Sequence, residues 1–286
     1  MPNARHRPSA ANAGQNFSVT STFLYGAHVR ANGIRQHYLR FGGSGDALIV
    51  IPGITSPAAT WAFVGSRLGA AHDTYVIDIR GRGLSCAGPE LDYGLDACAR
   101  DVAELARALG LPRYDVIGHS LGGRIAARLA HHHPGGLDRV VLADPPLTGP
   151  GRRPYVKALA FYLDSIEAAT AGRLDADAMR ATYPRWTEEQ LRLRAEWLHT
   201  CDVRAVACSH RGFQEDDIHV DLRALATRTL LLAAGMGGVI TDDELAEVAA
   251  LNPAIERVRL PGAGHMLPFD DIEGFLGIVD GFLARR

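Results

Sequence analysis

The sequence predicts an α/β protein built on a mainly parallel, doubly wound sheet, and three observations carry that reading. Short apolar runs alternate with segments of helical spacing from about residue 22 onward. Several runs, such as Ala47–Ile51 (ALIVI), are apolar throughout, as in strands buried on both faces. The pentapeptide Gly118-His119-Ser120-Leu121-Gly122 joins one such strand to a helix.

Taken in order, Phe23–Val29 and Ile34–Arg40 read as a hairpin through Ala31-Asn32-Gly33, a turn that tolerates positive φ. ALIVI is the third strand, a helix surrounds Trp61–Leu68, and Thr74–Ile79 is the fourth strand. Asp96–Leu109 has apolar residues at helical spacing and leads to the strand marked by Tyr114, Val116 and Ile117. A helix over Leu121–His133 follows. Arg139–Ala143 and Thr229–Ala234 are further buried strands, Ile255–Leu260 is the eighth, and Ile272–Leu283 is a closing helix. Between about Leu147 and Leu222 only helical patterns occur, including Arg153–Ala169 and Glu188–His199. A helical insertion in such a domain is expected to cover the carboxyl ends of the strands, where ligands bind. The predicted organisation is a core of residues 21–146 and 223–286, a helical lid of residues 147–222, and a disordered tail of residues 1–20.

Composition narrows the function classes. Hydrophobic content of 47% and charged content of 22% are those of an ordinary soluble protein. A net charge of -2 argues against nucleic acid or an anionic membrane as partner. Lys157 is the only lysine, which reads as coding bias. Cys86, Cys98, Cys201 and Cys208 have no C-x-x-C spacing and accompany no paired-His zinc pattern. Reduced thiols in a cytoplasmic protein are the favoured reading, over one disulfide in an exported one. No apolar run reaches the roughly eighteen residues of a membrane span. The first residues lack the apolar centre of a secretory signal, although two arginines without an acidic residue faintly resemble a transit peptide.

Ser120 is the expected nucleophile. A serine on a sharp strand-to-helix turn is held in a strained backbone with its Oγ projecting above the sheet. Side chains at Gly118 and Gly122 would collide with the neighbouring strand and helix. The amide of Leu121, at the helix start, can bind a developing oxyanion. The second donor is expected from Ile51-Pro52-Gly53-Ile54-Thr55-Ser56, with Gly53 letting the backbone approach and Ile54 giving its amide.

An activated serine needs a base, and the base needs a carboxylate to fix its tautomer. His265, in a Gly-rich loop between the last strand and the final helix, is the expected base. His131, His132 and His133 end the helix after Ser120, where imidazolium suits the helix dipole, and no carboxylate at ligand spacing joins them. His119 is expected to face away from Ser120. Asp144 is the favoured acid, because it ends the strand Val141-Leu142-Ala143 and two prolines follow it. The alternative is Asp242 or Asp243, which look like the N-cap and first turn of a helix. In most chains of this architecture the acid follows the seventh strand, and Gly238 stands at that place here.

The segments IPGITSPAATW, DIRGRGLS, GHSLGG and GAGHM, in that order, resemble the α/β-hydrolase family over residues 22–284. ANGIRQHYLRFGG, LDYGLDACA, DPPLTGPGRRPY, RAEWLHTC and GGVITDDELAE resemble a deformylase branch of it, found in bacterial nicotinate degradation. The resemblance implies an α/β-hydrolase fold and a Ser120, Asp144, His265 triad with its acid after the sixth strand. It also implies hydrolysis of an N-formyl amide of a small carboxylate, through a formyl-enzyme and with no metal or organic cofactor. Arg152 and Arg153, or Trp197 and His199, are candidate partners for that carboxylate. A carboxylesterase or a hydrolase of carbon–carbon bonds in ring-cleavage products would use the same triad. A non-catalytic receptor on this fold is the remote alternative.

Overall fold

The computed structural model describes residues 22–285, so the predicted tail of residues 1–20 lies outside the described residues. Asn32 and Gly33 both take positive φ, 48° and 75°, and close the hairpin between β1 (Phe23–Ala31) and β2 (Ile34–Phe41). The other strands are β3 (Ala47–Ile51), β4 (Asp73–Ile77), β5 (Tyr114–His119), β6 (Leu137–Ala143), β7 (Arg228–Ala234) and β8 (Glu256–Leu260). They form one eight-stranded sheet in the order β1-β2-β4-β3-β5-β6-β7-β8. β2 pairs antiparallel with β1 and β4, and the pairs from β4 to β8 are parallel.

Helices cover both faces because the central strands are apolar on both. Ile49 and Ile51 of β3 join one core layer with Val102 and Ile125, whereas Leu48 and Val50 join the other with Trp61, Val64 and Phe275. Those partners lie on or beside α1 (Ala62–Leu68), α2 (Leu95–Ala108), α3 (Leu121–His132) and the C-terminal helix Ile272–Leu283. The chain leaves β3 for β4 on one side and returns to β5 on the other. The loops after β3 and β5 therefore diverge over a crevice at the strands' carboxyl ends.

Between β6 and β7 lie α4 (Leu159–Thr170), α5 (Ala176–Thr182), α6 (Glu188–Trp197), α7 (Val203–Glu215) and α8 (Ile218–Ala224). The predicted helix from Arg153 starts only at Leu159. Pro154 disfavours helical backbone at Arg153, and Arg152 and Arg153 are tied to Glu247 and Glu244. Buried Arg82 and Arg124 staple α7 to the sheet side: Arg82 reaches the carbonyls of Ile54 and Ala205, and Arg124 those of Pro146 and Gly212. The fold ends with α9 (Asp242–Leu251), α10 (Leu267–Asp270) and α11 (Ile272–Leu283). Thr241, not Asp242, caps α9, exchanging hydrogen bonds with Glu244 in a capping box. No helix among the described residues is long and apolar enough to cross a membrane.

Candidate active site

Ser120 sits between β5 and α3 with φ 54° and ψ -115°, a backbone that few non-glycine residues adopt. Close packing enforces it. A Cβ on Gly118 would lie 2.1 Å from the Gly122 carbonyl oxygen, and one on Gly122 would lie 2.0 Å from that of Ile51. The Ser120 amide donates to Ala143 O at 2.9 Å, which locks the turn to the end of β6.

Asp144, the residue after β6, also takes positive φ, 46°, and is fully buried. Its carboxylate is held on three sides. Oδ1 accepts from the Ala234 amide at 3.1 Å, and Oδ2 accepts from the Val239 amide at 3.0 Å and from His265 Nδ1 at 2.7 Å. Burial pushes the Asp144 pKa up, but the His265 contact and the two amides outweigh it and hold the carboxyl below its ordinary value. His265 Nε2 lies 3.1 Å from Ser120 Oγ. With Nδ1–H donated to the carboxylate, neutral Nε2 is the acceptor for the serine hydroxyl.

Asp242 and Asp243 are elsewhere. Asp242 is exposed and pairs with Arg259 at 2.6 Å, and Asp243 is exposed on the same turn of α9. His119 departs from expectation, since it lines the cavity beside Ser120 instead of facing away. Its Nε2 donates to the His265 carbonyl at 2.8 Å, and burial, with His265 nearby, drives its pKa down to about 3. The ring is therefore neutral, and its buried Nδ1 has no hydrogen-bond partner.

A cavity of about 200 Å³ opens over Ser120 and His265. Gly53, Ile54, Tyr155, Tyr162 and Arg194 contribute to its wall, and exposed Lys157 is at its rim. The Tyr155 and Tyr162 hydroxyls are 3.0 Å apart, and burial raises both pKa values, so both stay protonated and one donates to the other. The Gly53 carbonyl accepts from the Ser56 amide at 3.1 Å, which turns the N–H of the Gly53–Ile54 peptide the opposite way. Leu121 begins α3, so its amide has no intrahelical acceptor.

The four proposed carboxylate partners do not line this cavity. Arg152 is occupied by Glu247 at 2.6 and 2.7 Å, and Arg153 by Glu244 at 2.7 and 2.8 Å. Trp197 ends α6 half-buried, and His199 is exposed in the following turn. Arg194, absent from the sequence-based expectations, stands on the wall. Its signal was its place: Leu191, Arg194, Ala195 and Leu198 recur at helical spacing and are all buried, so this arginine stands on an apolar face.

One cluster outside the cavity gathers potential metal ligands. Asp221 of α8 joins His131 and His132, with ligand atoms within 4.8 Å of one another, a carboxylate that sequence spacing did not reveal. Arg128 Nε lies 2.9 Å from both Asp221 oxygens, so a cation already occupies that carboxylate and its charge opposes a metal ion.

A mainly parallel sheet with a strained serine elbow and a hydrogen-bonded Ser-His-Asp array is the architecture of an α/β-type hydrolase. The chain belongs to the α/β-hydrolase family: the model of the alpha/beta hydrolase fold matches residues 46–272. It is 54% identical to the N-formylmaleamate deformylase of Pseudomonas putida, over 92% of this chain and 98% of that one. The crystal structure of the N-formylmaleamic acid deformylase of Pseudomonas putida S16 superposes with a TM-score of 0.85 at 47% identity, covering 89% of this chain and all of that one. A more distant relative, the 2-(acetamidomethylene)succinate hydrolase of Mesorhizobium japonicum, is 29% identical over 78% of this chain and 82% of its own.

Proposed function

We propose that this hydrolase cleaves N-formylmaleamate to maleamate and formate. The observation that carries the reading is the 54% identity to a deformylase over nearly the full length of both chains, helical insertion included. The site geometry supports the chemistry. Ser120 Oγ attacks the unhindered formyl carbon while His265 Nε2, 3.1 Å away, takes its proton. Asp144 holds the imidazole in the required tautomer and stabilises the imidazolium. The amides of Ile54 and Leu121 receive the oxyanion. Collapse breaks the C–N bond, and His265 returns its proton to the departing nitrogen of maleamate, which leaves as an amide and not as a poor amine anion. Water, deprotonated by His265, then attacks the formyl-enzyme, releasing formate and restoring the Ser120 hydroxyl. The product acid ionises as it leaves, so each cycle releases one proton with formate, and the cycle calls on no metal or organic cofactor.

Helices α4–α8 act in this reading as the lid over the site, and the four unpaired cysteines suit a reducing cytoplasm. The test is formate release from N-formylmaleamate beside a panel of short-chain esters. The expected kcat/KM for the formyl compound exceeds that for any ester by at least about a hundredfold. A preference for an ester would instead make the protein a carboxylesterase.

A further inference from the structure

We propose that Arg194 is the receptor for the substrate's carboxylate. The assignment rests on reading the chain as a hydrolase of a small carboxylated amide. Arg194 shares the cavity wall with Ser120 and His265 and is only 7% exposed. Its guanidinium has no carboxylate within ion-pair distance among the described residues. It donates from Nη1 to the Thr55 carbonyl and from Nη2 to Thr55 Oγ1 at 2.7 Å. Its buried Nε has no partner.

Burying a guanidinium without a counter-charge is costly, and proteins offset that cost with carbonyls or a ligand. Arg82 and Arg124, also buried and without a carboxylate, show the first solution. Arg82 reaches three carbonyls and Ser209 Oγ, Arg124 reaches four carbonyls, and neither borders the Ser120 cavity. Arg194 differs on both points: one of its nitrogens is unsatisfied, and it faces the reacting centre's cavity. A planar carboxylate supplies the missing charge and the acceptor lone pairs. Thr55 follows Ile54, so a carboxylate gripped by Arg194 also bears on the loop expected to hold the oxyanion.

The test compares kcat/KM for N-formylmaleamate with that for its neutral methyl ester, each read as formate release by the full-length chain. The wild-type enzyme is expected to prefer the anion. Arg194→Met should cut that preference by about a hundredfold, chiefly through KM, and Arg194→Lys should fall between the two. A purely structural arginine would lower both rates together, so an unchanged ratio in Arg194→Met overturns the proposal whatever the absolute rates. If the methionine variant does not fold, the lysine variant decides by the same ratio. Inhibition of the wild type decides alongside it: maleate should bind at least about tenfold tighter than the neutral diamide, and equal binding overturns the assignment. If the wild type attacks neither formyl compound, the deformylase reading falls, and the ratio taken with a carboxylated and an uncarboxylated short ester decides the role of Arg194.

Discussion

A Cβ on Gly238 would lie 2.9 Å from Oδ2 and 3.0 Å from Oδ1 of Asp144, so the carboxylate occupies the space that a side chain at 238 would need. The ends of β6 and β7 are neighbours, and a carboxylate from either could meet the same imidazole. Here the glycine after β7 and the aspartate after β6 are two halves of one arrangement. The amides of Ala234 and Val239, on either side of the glycine, donate to the carboxylate.

Gly238→Ala should therefore damage the site. The added methyl would also meet Ala234 Cβ at 2.5 Å, which is rigid backbone-proximal structure and not the end of a flexible chain. Overpacking of this kind costs about 1–3 kcal/mol. Urea unfolding and kcat measured together should show both a lowered midpoint and a slower enzyme. A variant that matches wild type in both would mean that the carboxylate does not depend on that space.

Ser120→Ala should remove turnover while leaving the fold in place, since alanine fits the elbow that serine already fits. Removing the nucleophile of such a triad costs on the order of a millionfold in kcat. Circular dichroism should be unchanged, and formate release within tenfold of wild type would exclude Ser120 as nucleophile.

The sheet and the elbow were legible because their causes are local. ALIVI reads as a doubly buried strand without its neighbours, and two glycines flanking a serine announce a turn that backbone contacts of 2.0–2.1 Å would forbid to other residues. The place of Asp144 at the end of β6 was legible because Pro145 and Pro146 stop the chain from continuing regularly. The cavity wall was not legible, because its residues are chosen by partners far away in sequence. Arg152 and Arg153 read as free cations until α9 supplies Glu247 and Glu244, more than ninety positions on. The spacing of Leu191, Ala195 and Leu198 puts Arg194 on an apolar helix face, but its place on the cavity wall depends on Thr55, 139 positions earlier, which receives its guanidinium. His119 was misjudged for a related reason, as its orientation depends on the His265 carbonyl and the loop that carries it.

His119 gives the protein a pH-dependent stability. Its pKa falls from 6.5 to about 3 on folding, so above about pH 6.5 it is neutral in both states and imposes no penalty. Between pH 6.5 and about 3 the unfolded chain takes up a proton that the folded one refuses, and stability drops as pH falls. The slope from this one group is at most about 1.4 kcal/mol per pH unit. His119→Gln removes the titration while keeping an amide donor for the His265 carbonyl. Unfolding midpoints at pH 7.5 and 4.5 should differ less in the variant than in wild type, and an equal drop in both would place the acid sensitivity elsewhere.

The acid assignment makes the sharpest contrast. Asp144→Asn keeps the size and most of the packing, but an asparagine amide can donate toward His265 Nδ1 where the carboxylate accepts. The ring then carries its proton on Nε2, facing Ser120, and cannot accept from the hydroxyl 3.1 Å away. In triads of this kind the exchange lowers kcat by about ten-thousandfold, with substrate binding far less affected. Asp242→Asn removes only an exposed pairing with Arg259 and should leave kcat within a few-fold of wild type. Asp243→Asn, exposed in the same turn, should do as little. Steady-state kinetics on the three variants separates the two arrangements, because a large kcat loss in Asp242→Asn or Asp243→Asn with an active Asp144→Asn would move the acid to β7.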